Sequence, residues 1–172
     1  NPEGIDNINR SYISLGLHYY NIWDKILNIN ECHIQSSLAN EIFQTIWKKA
    51  LELKLKPYDI KFHEGFLRNV IIREAKNTGQ IMVNLVTTLE DKEALLPISN
   101  ELIHDFPKIS SIINSIISRK AEVSMSEHQV VLYGNDYIVE KLSDYEFIIS
   151  ADSFFQTNTV QAEKLYEIIL EE

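Results

Sequence analysis

The chain has 172 residues, 45% hydrophobic and 24% charged, the proportions of a globular domain with a real core rather than of a disordered tract. Sixteen Lys and Arg against 25 Asp and Glu leave a net charge of −9, which argues against an autonomous RNA or DNA binder, because counterion release at phosphates needs gathered basic side chains. No apolar run approaches the roughly 20 residues of a bilayer-crossing helix, so no membrane partner is expected, and the single cysteine, Cys32, allows no internal disulfide and fits a reducing, cytoplasmic setting.

The first residues, Asn1-Pro2-Glu3-Gly4, carry neither an initiator Met nor a signal-peptide pattern, as expected of a piece of a longer protein. Alternation from Tyr12 to Tyr19 predicts a strand, and Lys25 to Ile29 its hairpin partner across a turn at Tyr20 to Asp24. A helix is expected from Ser36 or Ser37, with serine as N-cap and Leu38, Ile42, Ile46 and Leu53 at helical spacing, ending before Pro57. Leu67–Glu74 and Gln80–Thr87 flank Asn77-Thr78-Gly79 and predict a β-hairpin. A second helix is expected over about Asp91 to His104, a buried strand over Ile109 to Ile117, and three short strands near Val130–Tyr133, Tyr137–Leu142 and Tyr145–Ile149. The last helix should run from about Thr159 to the end.

Strands outnumber helices and connect mostly through short turns, so the expected fold class is α+β with a largely antiparallel sheet and flanking helices. The expected boundary lies at Ser150 to Asn158. Residues 1–150 would form one α+β domain, and residues 151–172 would begin another.

Few residues carry chemistry of their own. Cys32-His33 invites a thiol nucleophile or a metal ligand, as in a cysteine hydrolase, but no second cysteine shares a metal and adjacent side chains rarely converge on one centre; an inert packed cysteine is the simpler reading. The five histidines are scattered, and no glycine-rich phosphate cradle is present. Arg68, Arg73 and Lys76, with Phe62, His63 and Phe66 just upstream, are candidates for single-stranded RNA contact. A charged, solvated strand edge is the competing account. Gln156 and Asn158 bear amides suited to reading a polar ligand, although Asn158 also fits a helix cap, and Phe154 and Phe155 also fit core positions.

Three segments carry a resemblance. They run from Leu15-Gly16-Leu17-His18 to Glu31-Cys32-His33-Ile34-Gln35; from Gly65-Phe66-Leu67-Arg68 through Ile72-Arg73-Glu74 to Lys76-Asn77-Thr78-Gly79; and from Val131-Leu132-Tyr133-Gly134 to Ser153-Phe154-Phe155-Gln156-Thr157-Asn158. In this order and spacing the chain resembles the RNA (uracil-5-)-methyltransferase family, which moves a methyl group from S-adenosylmethionine to carbon 5 of uridines in rRNA or tRNA. The resemblance implies a central domain, between an RNA-binding β-barrel and a Rossmann-like methyltransferase domain. It implies that the catalytic cysteine, the general base and the glycine-rich cofactor loop lie after Glu172, so that this piece has no catalytic residues and no activity alone. Gln156 matches the family's cofactor-contacting glutamine. Cys32 matches the last of four cysteine ligands of a [4Fe–4S] cluster found in some members, a cluster this piece lacks the other thiolates to hold. The implied partner is rRNA or tRNA, reached through the intact enzyme, and DNA is not expected. The acidic charge leaves a second reading open, a non-catalytic α+β module that binds RNA or a protein.

Overall fold

A computed structural model describes residues 14–120 and 125–171. The described elements run β1 (Gly16–Tyr19), β2 (Ile22–Asn28), α1 (Ser37–Glu52), β3 (Leu67–Glu74), β4 (Ile81–Thr87), α2 (Lys92–Asp105), β5 (Ile109–Ile116), β6 (His128–Gly134), β7 (Tyr137–Leu142), β8 (Tyr145–Ser150) and α3 (Thr159–Glu171). The expected strand at Tyr12 and Ile13 lies outside the described residues.

The central sheet has the order β3-β4-β5-β6. β3 and β4 form the expected antiparallel hairpin, paired from Leu67↔Thr87 to Glu74↔Ile81. β4 and β5 run parallel, from Ile81↔Ile109 to Thr87↔Ile116, because α2 carries the chain back over the sheet between them. The α+β expectation therefore holds, with four antiparallel ladders and one parallel ladder among the described residues. All seven residues of β4 are buried, as in a strand with covers on both faces.

On one face lie α1 and α2. Ser36 caps α1 by accepting a hydrogen bond from the Ala39 amide, and Ala39, Ile42, Ile46 and Ala50 turn one stripe inward. Asp91 caps α2 in the same manner. Leu95, Ile98 and Leu102 pack with Val83, Leu85 and Ile112 of the sheet, and each such fully buried side chain contributes about 1.5–3 kcal/mol. Lys49 joins the two helices through Glu101 at 3.0 Å. Pro97 lies inside α2, which deprives the Glu93 carbonyl of its usual donor.

The β7–β8 hairpin lies on the opposite face. Ile138 and Ile149 meet Met82 and Ile113 there, with Ala75 and Ala151 at the margin. The β1–β2 hairpin forms a separate two-stranded sheet. Its turn is tighter than the spacing suggested: Asn21, at φ 58°, supplies the left-handed residue, and Ile22, Trp23 and Asp24 already belong to β2. The chain leaving β2 is held to α1 by Gln44, which donates to the carbonyls of Ile29 and Asn30, and by Asn40, which bonds both backbone groups of Cys32.

Candidate functional site

The segment between β8 and α3 is bracketed by two charged side chains that reach it from elsewhere in the fold. Arg73, near the end of β3, donates from Nη1 to the Ser153 carbonyl at 2.7 Å and from Nη2 to the Ala151 carbonyl at 2.9 Å. Burial lowers its pKa, while nearby Asp152 opposes that shift. Ser150 and Ser153 add a local lock, with hydroxyls 2.7 Å apart and the Ser150 amide donating to Ser153 Oγ at 3.2 Å.

Glu140 holds the other end. It is 0% exposed, yet its carboxylate accepts from the amides of Lys76 at 2.5 Å, Asn77 at 3.0 Å and Lys141 at 3.0 Å, and from the Thr159 hydroxyl at 3.0 Å. Four donors replace the water that a buried carboxylate gives up. Around it the Ala75–Gln80 turn is joined to β7: Thr78 Oγ1 donates to the Val139 carbonyl at 2.5 Å, Asn77 Nδ2 to the Lys141 carbonyl at 2.7 Å, and the Val139 amide to Gln80 Oε1 at 2.8 Å. Gly79 takes φ 73° here, a conformation that favours glycine.

Between these brackets Phe155 tucks against the second core cluster, its ring 5.8 Å from that of Phe147. Phe154 is 87% exposed. Asn158 caps α3 by accepting from the Gln161 amide at 3.1 Å. Gln156 is exposed and lines a cavity of about 440 Å³ together with Ser36, Ile71, Arg73, Lys76 and Phe155. No hydrogen bond among the described residues engages its amide. At the cavity wall, burial opposes ionisation of Glu74, but hydrogen bonds from Lys76 and Ser36 outweigh it and hold the carboxyl below the usual range.

The structure brings Gln156, Arg73 and Lys76 to this one cavity and leaves Arg68 and Cys32 off its wall. The two arginines direct their forks at backbone carbonyls. Arg68 lies 4.1 Å from the Tyr58 ring and donates to Ile117 at 3.0 Å and Arg119 at 2.8 Å. Lys76 is half exposed and pairs with Glu74 at 2.6 Å. Cys32 is a free, partly buried thiol, and no group of three or more His, Cys, Asp or Glu side chains capable of holding a metal occurs among the described residues. Cys32 offers one of the four thiolates that an iron–sulfur cluster usually takes. Glu140 escaped the sequence reading. The available signal was its place on the inward phase of β7, where Ile138, Glu140 and Leu142 are all buried.

No family model matches the chain. It is 37% identical over 158 residues to an uncharacterized RNA methyltransferase of Chlorobaculum tepidum, covering 91% of this chain and 33% of that protein. An uncharacterized RNA methyltransferase of Clostridium acetobutylicum is 35% identical over 168 residues, covering 96% and 37%. The crystal structure of Pyrococcus abyssi tRNA (uracil-54, C5)-methyltransferase in complex with S-adenosyl-L-homocysteine superposes with a TM-score of 0.75 at 33% identity, over 91% of this chain and 37% of that one. The chain spans about a third of the length of the curated relatives it matches.

Proposed function

We propose that this chain, tied by sequence and fold to the RNA (uracil-5-)-methyltransferase family, is the central domain of a cytoplasmic enzyme that methylates carbon 5 of a uridine in rRNA or tRNA. Residues 1–150 are its α+β body, and residues 151–172 begin the domain that holds S-adenosylmethionine. The observation that carries this reading is that Gln156, whose amide has no hydrogen-bond partner among the described residues, lines a cavity, on a chain 33% identical to a solved tRNA methyltransferase. In this reading Gln156 meets the methyl donor from the edge of its pocket. Bound there, S-adenosylmethionine supplies an electrophilic methyl group. The residues of this chain orient it and contribute no nucleophile or base.

The surface of α3 supports the division at residue 150. Leu165, Ile168 and Ile169 are each more than half exposed, an apolar stripe of the kind a helix buries against another domain. For the nucleic acid, Lys76 is the candidate phosphate contact, because its ammonium is half exposed beside the cavity. Arg73 lines the same cavity while its donors hold backbone carbonyls, and Arg68 lies apart from it, bonded to the carbonyls of Ile117 and Arg119. Flipping a uridine out of folded RNA costs a few kcal/mol, which contacts spread over several domains can offset.

In the intact enzyme, Gln156→Ala should raise KM for S-adenosylmethionine about tenfold while KM for RNA stays within about twofold. Unchanged KM for the cofactor removes Gln156 from the site.

A further inference from the structure

We propose that Arg73 is a positioning residue, whose guanidinium clamps the carbonyls of Ala151 and Ser153 and thereby holds Phe154 to Thr157 so that the Gln156 amide faces the cavity. The proposal rests on the reading of Gln156 as a methyl-donor contact and adds a residue that acts through it.

Three observations carry it. The two Arg73 bonds, at 2.7 and 2.9 Å, end on the carbonyls three and five residues before Gln156. The planar fork of arginine can serve two acceptors in one rigid geometry, which a lysine ammonium, a compact point charge, does not reproduce. Downstream, Glu140 holds Thr159, three residues after Gln156. Both ends of the segment are therefore pinned from the β3–β4 and β7–β8 hairpins, while the exposed Gln156 between them forms no hydrogen bond among the described residues. A short span with anchored ends samples few conformations, and its side chain reaches a ligand with little further ordering cost. Arg73 also sits on the cavity wall, so its removal acts close to the amide it aims.

Two measurements test the clamp. In this chain, backbone order parameters of Phe154 to Thr157 should fall from the rigid range near 0.85 to below about 0.6 in Arg73→Met, with Arg73→Lys intermediate and β3 and β4 unchanged. If Arg73→Met does not fold, the charge-retaining Arg73→Lys gives the reading. Order parameters that stay at the wild-type value in a folded variant overturn the proposal. In the intact enzyme, Arg73→Lys should raise KM for S-adenosylmethionine about five- to tenfold with KM for RNA unchanged, and should add little to a Gln156→Ala background. A rise in KM for RNA alone makes Arg73 an RNA contact and also overturns it. If Gln156→Ala itself leaves the cofactor KM unchanged, the donor-contact reading fails, and the order parameters still decide the clamp.

Discussion

Glu140 and Thr159 meet at 3.0 Å, carboxylate to hydroxyl, in a site where Glu140 is 0% and Thr159 2% exposed. The contact joins the β7–β8 hairpin to the first turn of the terminal helix. The same carboxylate receives the amides of Lys76 and Asn77, so one side chain unites three parts of the chain that lie far apart in sequence.

Replacing Glu140 should therefore cost more than its single charge suggests. Glu140→Ala leaves the amides of Lys76, Asn77 and Lys141 and the buried Thr159 hydroxyl without their acceptor, and with several lost hydrogen bonds to one charged group should destabilise by about 3–5 kcal/mol. Glu140→Gln keeps one acceptor oxygen but turns an NH2 group toward donors, and should cost about 1–3 kcal/mol. Urea denaturation followed by circular dichroism measures both, with the order Ala worse than Gln as the expected outcome.

Gly79 offers a test of backbone conformation separate from packing. A Cβ at this position would meet nothing within 4 Å, but φ is 73°. Gly79→Ala should lower stability by about 1 kcal/mol through the left-handed backbone alone. The same urea titration reads it, and a variant as stable as wild type would mean that the turn relaxes without cost.

Acid should loosen the region around β6. Hydrogen bonds from Ser118 and Arg119 hold the Glu127 carboxyl down to about 2, from a usual 4.5. A folded-state pKa below the unfolded one means that its contribution is complete above the unfolded value and is lost as pH falls toward the folded value. Stability should decline between about pH 4.5 and pH 2, and Glu127→Gln should flatten that part of the profile. Glu74, also held low, contributes in the same direction. Thermal melts at a series of pH values, compared between wild type and variant, check the assignment.

The core and the α3 stripe should respond oppositely to truncation in this chain. Leu102 is 0% exposed, and Leu102→Ala should cost about 2–5 kcal/mol. Ile168 is 60% exposed, and Ile168→Ser should change stability by no more than about 0.5 kcal/mol. In the intact enzyme Ile168→Ser should instead be clearly destabilising, since the proposed neighbouring domain buries that side chain. Equal behaviour in both settings would remove α3 from the domain interface.

Most elements were legible because their signals are local. Ser36 announces α1, Asn77-Thr78-Gly79 announces the β3–β4 hairpin, and Ser143, with φ 50° in the structure, marks the β7–β8 turn. The parallel pairing of β4 with β5 was not legible, because strand order depends on how α2 packs across the sheet, which no local pattern records. The site followed the same division. Gln156 and Asn158 stood out by residue type and by resemblance to a family motif. Arg73 was noticed for its charge, but its acceptors are the carbonyls of Ala151 and Ser153, 78 and 80 residues away in sequence, and main-chain acceptors leave no residue-type signature. Glu140 was hidden because an acidic residue in a strand ordinarily reads as solvent-facing, and only its phase against Ile138 and Leu142 said otherwise.

The joining of the Ala75–Gln80 turn to β7 has a consequence for how enzymes that cut polypeptides would treat the molecule. Hairpin tips are commonly the first places nicked, since a protease must draw a stretch of backbone into its own cleft. Here the amides of Lys76 and Asn77 and the side chains of Thr78 and Gln80 are committed to a neighbouring strand, so cleavage after Lys76 would first require that whole corner to open. Limited trypsin digestion should spare Lys76 and begin instead at exposed lysines outside this corner.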